Sequence, residues 1–447
     1  MNLCYHNISP IDNRYKESCD SLRPYVSDFG INKIRCEVEV KYFLMVMKNI
    51  LKVNLPQEDI SFMESIYSNF CDDDITEIRL IELNTNHDIK AIEYFIKNKI
   101  KNRENIVKYS EYIHFALTSQ DINSVVNSLS VKRSITNIIL PNIKEIIYKL
   151  EELSSRWKHQ YMLSRTHGQP AVTTSMGKEL NVFSYRLNIQ LEKLTNLKYS
   201  TKFGGAVGNL NAHYFCFEDF NWEKILYYFV GEQFGLVRNK YTTQVDNYDN
   251  LCEIFDIIKR INTILLDMNQ DIWLYISQNY FKIKINNNET GSSTMPHKVN
   301  PINFENSEGN IHLANSILNM FSSKLPISRL QRDLTDSTIS RNIGVGFSYC
   351  LIAYDSLLKG LEKLEINSQL IDNELNNNWS ILMEAIQCIM KTEFIENSYE
   401  IVKDKCRGKD ITKEDYLNIV EELPISDKSK NKLRNLTPHT YTGMLNK

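Results

Sequence analysis

The chain has 447 residues, 42% hydrophobic and 24% charged, which is the range of an ordinary folded globular protein with enough apolar material for a large core. Its 52 basic and 55 acidic residues leave a net charge of -3, which excludes the global positive field that nucleic-acid binding needs, so any anion site has to be local. No run of eighteen apolar residues occurs, and the opening MNLCYHNISPIDNRY has neither the basic start nor the apolar run of a signal peptide; neither nucleic acid nor membrane is expected as a partner, and the expected compartment is the cytoplasm.

The nine cysteines, from Cys4 to Cys406, include no CxxC pair, and the nine histidines include no HExxH or zinc-spaced cluster. The thiols are expected to be reduced and mostly core filling, and neither a metal nor a cofactor is expected.

Only 15 glycines and 10 prolines punctuate the chain, which predicts a mostly helical fold. Up to about Lys108 the sequence reads as shorter helices and loops. A long helix is predicted over Val172 to Tyr199, interrupted only by Gly177. From Leu251 to Asn279, the residues Leu251, Ile254, Phe255, Ile258, Ile261, Leu265, Met268, Ile272 and Ile276 recur at spacings of three and four, a helical stripe. At 1.5 Å per residue that helix is roughly 40 Å long, which points to a long bundle or an oligomeric core. A third long helix runs from Pro301 through FENSEGNIHLANSILNMFSSKL to Pro326, and a fourth from near Asp336 into YCLIAYDSLLKGLEKL. Four such helices predict a bundle. Shorter helical pieces return after about Ile366. The expected architecture is therefore all-α in three segments: 1–110, an N-terminal helical domain; 111–365, the central long-helix bundle; and 366–447, a C-terminal helical domain.

Several short stretches carry chemistry. TNHDIKAIEY, Thr85 to Tyr94, sets His87 and Asp88 at a polar helix start, where an N-capping role alone would suffice. In LTSQDIN, Leu117 to Asn123, Thr118 and Ser119 can offer hydroxyls and helix N-terminal amides to an anion, or simply cap the helix. RTHGQPA, Arg165 to Ala171, contains His167, whose imidazolium can donate a proton near neutral pH but whose commoner use is structural hydrogen bonding. KFGGAVGN, Lys202 to Asn209, lacks a preceding strand and a GK[ST] ending, so it reads as a turn between helices rather than a nucleotide loop. GSSTMPHKVNP, Gly291 to Pro301, joins small polar residues to two rigid prolines, a composition suited to a lid that brings a Ser hydroxyl and backbone N–H groups onto a substrate. In RLQRDLTDSTISRN, Arg329 to Asn342, Ser337 and Arg341 share a helix face, and Arg332 approaches from the preceding loop. That is a phosphate cradle, or a surface cluster paired with Asp333 and Asp336.

GSSTMPHKVNP resembles the signature GSSxMPxKxNP of the fumarase/aspartase superfamily. Together with SPIDNRY, TNHD, TSQDIN, RTHGQPA, RDLTDSTISRN and the late LTPHTYTG, it makes most of the chain similar to the adenylosuccinate lyase family in the form common among bacteria. The resemblance implies a fumarase/aspartase-like three-domain fold whose long-helix bundle forms the core of a homotetramer, with each active site shared between subunits. It also implies a β-elimination of fumarate from adenylosuccinate, giving AMP, and from the succinylaminoimidazole carboxamide ribotide of purine biosynthesis. Such a reaction needs a base at carbon, an acid at the leaving nitrogen, and cationic or N–H partners for the second negative charge that develops on the carboxylate. By resemblance Ser292 is the base and His167 the acid, with Thr166 beside it in the substrate site. Lys298 and Asn300 bind the carboxylate under attack, and Thr118, Ser119 and Gln244 contact the succinyl end. Arg14, Tyr15, Arg332, Ser337 and Arg341 hold the 5'-phosphate, and His87 and Asp88 line the nucleotide site. One departure is Asn13, where the family has Gly in SPIDGRY; Asn tolerates left-handed backbone, so the turn is expected to survive. Another lyase of the superfamily and an inert scaffold remain the alternatives.

Overall fold

The computed structural model describes residues 6–284, 295 and 297–446, so Ser292 and most of the GSSTMPHKVNP stretch lie outside the described residues. In chain order the main elements are α1 (Asp28–Met45), α2 (Asp88–Ile100), α3 (Ser119–Ser134), α4 (Leu140–Arg156), β1 (Tyr161–Thr166), β2 (Gln169–Ser175), α5 (Met176–Asn196), β3 (Ser200–Thr201), β4 (Val237–Arg238), α6 (Asp249–Ser277), β5 (Phe281–Ile283), α7 (Ile302–Lys324), α8 (Thr335–Ser340), α9 (Ile343–Glu362), β6 (Leu364–Ile366) and α10 (Ser368–Asn376), with shorter helices between and after them. The fold is mostly helical, and strands occur only as two-stranded pairs among the described residues.

The predicted stripe is the buried face of α6: Leu251, Ile254, Phe255, Ile258, Ile261, Leu265, Met268 and Ile272 are all buried. α7 fills its predicted span. Three expectations are corrected. Val172 to Ser175 belong to strand β2, and the helix starts only at Met176. The fourth long helix is broken into α8 and α9 at Arg341–Asn342. The N-terminal part contains the 18-residue α1, whose buried Arg35, Glu37 and Glu39 obscure a simple apolar periodicity.

The chain forms two compact units. The first comprises Met1–Lys144, Ile189–Thr263 and Asn306–Asp355. Within it Cys36, Val40 and Phe43 of α1, with Met47 just beyond its end, share an apolar cluster with Ala91, Ile92, Phe95 and Ile96 of α2. α1 starts at an N-cap, Ser27, whose hydroxyl accepts from the Gly30 amide at 3.1 Å. α6, α7 and α9 meet through Phe255, whose ring centroid lies 5.2 Å from that of Phe321 and 6.1 Å from that of Phe347. Beside them the buried Asn262 amide donates to Asn315 at 3.0 Å and its oxygen accepts from the Tyr354 hydroxyl at 2.6 Å, so the polar atoms there are paired. Phe255 is fully buried, and Phe255→Ala would cost about 3–5 kcal/mol in lost transfer energy and cavity.

The second unit comprises Glu145–Asn188, Ile264–Glu305 and Ser356–Lys447. β1 and β2 pair antiparallel with Tyr161 opposite Ser175 and Thr166 opposite Gln169, and the register shifts between Leu163 and Arg165. The two turn residues, His167 and Gly168, have φ of 52° and 73°, as a two-residue type I′ hairpin requires. The hairpin is tied down at its other end: Leu163 joins the cluster of Leu382, Ile386, Tyr416 and Val420, and the Thr173 hydroxyl donates to the Pro438 carbonyl at 2.6 Å, within LTPHTYTG. Gly177 marks a close approach rather than a break. A Cβ there would sit 2.3 Å from the Ser154 carbonyl, so the first turn of α5 packs against α4 backbone to backbone.

Among the eight described cysteines all are free, but only Cys19, Cys36, Cys252 and Cys350 are buried; Cys71, Cys216 and Cys388 are exposed, so core filling accounts for half of them. No helix among the described residues is long and apolar enough to cross a membrane.

Candidate active site

In the first unit the predicted residues gather at two places. One is the start of α3. Thr118 is its N-cap, and the Thr118 amide donates to Asp121 at 2.8 Å, the carboxylate side of a capping box. Ser119, the first helical residue, lies beside Arg332, whose Nη1 donates to the Ser119 hydroxyl at 3.4 Å and to Gln244 Oε1 at 3.0 Å. Gln244 is held by its other end, with Nε2 donating to the Ala206 carbonyl at 2.9 Å and its amide to the Gln331 carbonyl at 3.2 Å. A guanidinium, an amide and a hydroxyl beside a helix N-terminus are groups whose chemistry suits an anion.

The second place is built around Asp88. Its Oδ2 accepts from Arg35 Nη2 at 2.6 Å and lies 3.6 Å from Arg341 Nη2. Burial pushes the Asp88 carboxyl up, but the Arg35 charge, the Ile89 amide and Arg341 outweigh burial and hold it below the ordinary carboxylate value. Burial lowers the Arg35 pKa against the pull of Asp88. Arg35 also donates to Asn123 Oδ1 at 3.0 and 3.1 Å and to Asn32 at 3.2 Å. Ser337 and Arg341 line a cavity of about 200 Å³ together with Arg35, Gln120, Asn123 and Ser130. His87 is the N-cap of α2: its Nδ1 accepts from the Lys90 amide at 3.0 Å, which places the proton of the neutral ring on Nε2, at the exposed edge.

The predicted phosphate residues make the following contacts. Arg332 contacts Ser119 and Gln244, and Ser337 and Arg341 line the cavity of about 200 Å³. Tyr15 turns its hydroxyl to Asn306 Oδ1 at 3.2 Å, and Arg14 lies over the Tyr15 ring with its guanidinium carbon 6.0 Å from the centroid. Their neighbours Ser9, Asp12 and Lys16 line a cleft of about 1140 Å³ with Arg23, Arg133 and Arg341. The turn survives at Asn13 without left-handed backbone: Asn13 has φ of -130°, and the Tyr15 amide donates to the Pro10 carbonyl at 2.9 Å.

In the second unit His167 and Thr166 occupy the exposed tip of the β1–β2 hairpin. Arg165, re-aimed by the register shift, pairs with Glu374 of α10, and Glu374 also accepts from the Tyr280 hydroxyl, so the base of the tip is anchored. Lys298 is exposed, its amide donating to the Met295 carbonyl at 3.0 Å, and Asn300 is half-buried just before α7. Ser292 lies outside the described residues.

Sequence reasoning missed Arg35, the partner of Asp88, whose signal was a charge flanked by the buried Ile34 and Cys36. It also missed Asp121 and Lys202, both fully buried and 2.6 Å apart, though Asp121 stands three residues after Thr118 as a capping box demands. The reading of KFGGAVGN as a plain turn is corrected accordingly: a two-residue strand, β3, precedes it and pairs in parallel with β4, and its lysine is buried. Among the described residues no group of three His, Cys, Asp or Glu is placed to hold a metal ion.

A lyase family model matches residues 13–313, and an adenylosuccinate lyase C-terminal model matches residues 328–442. The chain is 44% identical over 439 residues to the adenylosuccinate lyase of Haemophilus influenzae, 45% to that of Buchnera aphidicola subsp. Acyrthosiphon pisum and 42% to that of Escherichia coli K12, in each case covering 98% of this chain and 96% of the relative. Its fold is that of a fumarate lyase from Mesorhizobium sp. BNC1 (TM-score 0.73, 15% identity, 95% of each chain) and of a 3-carboxy-cis,cis-muconate lactonizing enzyme from Pseudomonas putida (TM-score 0.73, 17% identity, 95% of this chain and 94% of that one). The sequence matches span nearly the whole length, and the chain belongs to the adenylosuccinate lyase family of the fumarase/aspartase superfamily.

Proposed function

We propose that this chain cleaves adenylosuccinate to AMP and fumarate, and the succinylaminoimidazole carboxamide ribotide to the aminoimidazole carboxamide ribotide and fumarate. The observation that carries the reading is the match at 42–45% identity over 98% of the chain to three relatives of that name, together with the dedicated C-terminal match over 328–442.

In this reading Ser292 removes the proton from the succinyl carbon, and the charge that develops moves onto the neighbouring carboxylate, held by Lys298 and Asn300. The C–N bond then breaks as His167 gives its proton to nitrogen. Thr118, Ser119 and Gln244 receive the succinyl carboxylates, and the contact of Arg332 with Ser119 and Gln244 supports adding its charge there. Arg14, Tyr15, Arg332, Ser337 and Arg341 serve the 5'-phosphate, His87 and Asp88 the nucleotide, and Thr166 the site around His167. Neither metal nor cofactor takes part.

The same proposal includes a cytoplasmic homotetramer with sites completed by neighbouring subunits, and three domains at 1–110, 111–365 and 366–447. Exposed apolar residues along the long helices, Tyr148, Val182, Tyr185, Trp273 and Leu274, support an assembly that covers them. The test is chromatography of products from adenylosuccinate and from argininosuccinate. AMP and fumarate from the first alone support the reading; turnover of argininosuccinate alone refutes it.

A further inference from the structure

The segment KFGGAVGN has no part in the chemistry above, yet it contains a fully buried lysine. The side chains of Lys202 and Asp121 are both 0% exposed. Asp121 Oδ1 accepts from Lys202 Nζ at 2.6 Å, from the Gly204 amide at 2.7 Å and from the Gly205 amide at 3.1 Å. Oδ2 accepts from the Thr118 amide at 2.8 Å and the Gly205 amide at 3.2 Å. Lys202 Nζ donates again, to the Gly205 carbonyl at 2.7 Å. One carboxylate thus closes both the first turn of α3 and the glycine turn.

Each of those turns carries one side of that set of anion-suited groups. The start of α3 presents Ser119. The glycine turn presents the Ala206 carbonyl, which fixes Gln244, whose oxygen fixes Arg332, which reaches back to Ser119. The partners of Gln244 agree on its orientation: only Nε2 can donate to a carbonyl, and only Oε1 can accept from a guanidinium. Gly208 seals the arrangement. Its φ is 83°, and a Cβ there would lie 2.2 Å from the Thr242 carbonyl, so the turn rests directly on the backbone leading to Gln244. Burying two charges is costly unless their geometry is excellent, and an apolar joint would hold two loops with less desolvation. What a saturated polar hub adds is a single arrangement of the groups around it.

We propose that Asp121 and Lys202 are positioning residues, a buried clamp that sets Gln244 and Arg332 within reach of Ser119 and so shapes the face that receives the substrate carboxylates. The inference rests on the functional reading above and makes a demand of its own. Lys202→Met in the full chain removes the charge while retaining most of the side-chain volume. It is expected to raise KM for adenylosuccinate about 10- to 100-fold, the scale of one charge-assisted hydrogen bond to the substrate lost, with kcat changed less than about threefold because binding is weakened equally before and in the transition state. Gln244→Ala is expected to raise KM as well, and the double variant no further than the worse single, because both act through one contact chain.

Fumarate binding by calorimetry gives a readout that does not depend on turnover, and circular dichroism establishes that each variant is folded. If Lys202→Met does not fold, the paired Asp121→Asn/Lys202→Met variant, which removes both charges, replaces it. A folded variant with unchanged KM and fumarate affinity, strictly additive effects with Gln244→Ala, or unfolding of both replacements would overturn the proposal. Failure of the wild type to cleave adenylosuccinate would instead overturn the functional reading, and the clamp would then be judged on fumarate affinity alone.

Discussion

Arg35→Met tests the buried pair behind the nucleotide residues. Arg35 and Asp88 have side chains only 10% and 17% exposed, and Arg35 bonds Asp88 at 2.6 Å, Asn123 at 3.0 and 3.1 Å and Asn32 at 3.2 Å. Removing one partner of a buried pair costs about 3–5 kcal/mol, because the remaining charge stays buried without compensation. Asp88 keeps the Ile89 amide at 2.9 Å and the more distant Arg341 at 3.6 Å, which places the expected loss near the lower end, about 3 kcal/mol. For a cooperative unit of 150–250 residues each kcal/mol is worth about 2–4 °C, so scanning calorimetry should show a melting point lower by about 6–12 °C. The double variant Arg35→Met/Asp88→Asn should recover more than half of that loss. The sign with pH is fixed as well: the folded Asp88 carboxyl lies below its unfolded value, so the stability it contributes is present above about pH 4 and disappears as pH falls through the folded value. The penalty of Arg35→Met should therefore shrink in acid. Melting within about 2 °C of the wild type at neutral pH, or a double variant no better than the sum of the singles, would refute the reasoning.

Other outcomes follow from individual side chains. Arg341→Ala should raise KM about 10-fold with little change in kcat, since it removes one charged partner of the phosphate; steady-state kinetics with an unchanged KM would count against that role. His167→Asn keeps a residue tolerant of the left-handed turn at φ 52° while removing the imidazole, so the melting point should hold and kcat should fall about 10²- to 10⁴-fold. Burial pushes the Asp246 carboxyl up to about 6 despite bonds from the Tyr248 amide at 2.9 Å and the Asn239 amide at 3.3 Å. Its folded value lies above its unfolded one, so the native state binds the extra proton, and stability falls as pH rises from about 4 through 6, by about 3 kcal/mol in all. Calorimetry of wild type and Asp246→Asn across pH 4.5–7.5 should show the wild type losing ground as pH rises; parallel curves would contradict the assignment.

What was legible in the sequence was whatever depends on local pattern. The apolar residues of α6 recur at helical spacing because one face is buried along its length, and α7 lies between two prolines that mark its limits. The β1–β2 hairpin was misread because Val172, Thr173 and Thr174 continue an apolar and polar mixture into α5, and its turn uses His-Gly rather than the Asn-Gly that announces such hairpins. The pairing of Arg35 with Asp88 spans 53 residues, and that of Lys202 with Asp121 spans 81, distances over which neither periodicity nor spacing carries a signal. Thr118 and Ser119 were visible as a helix start, but what surrounds them, Arg332 and Gln244, comes from loops far along the chain.

The most direct test is to incubate the purified protein with adenylosuccinate and to resolve AMP and fumarate by chromatography, with Ser292→Ala alongside. Equimolar AMP and fumarate from the wild type, and a rate lower by orders of magnitude from the folded variant, are the predicted result. No product from folded wild-type protein would contradict the reaction, and undiminished product from Ser292→Ala would contradict the base.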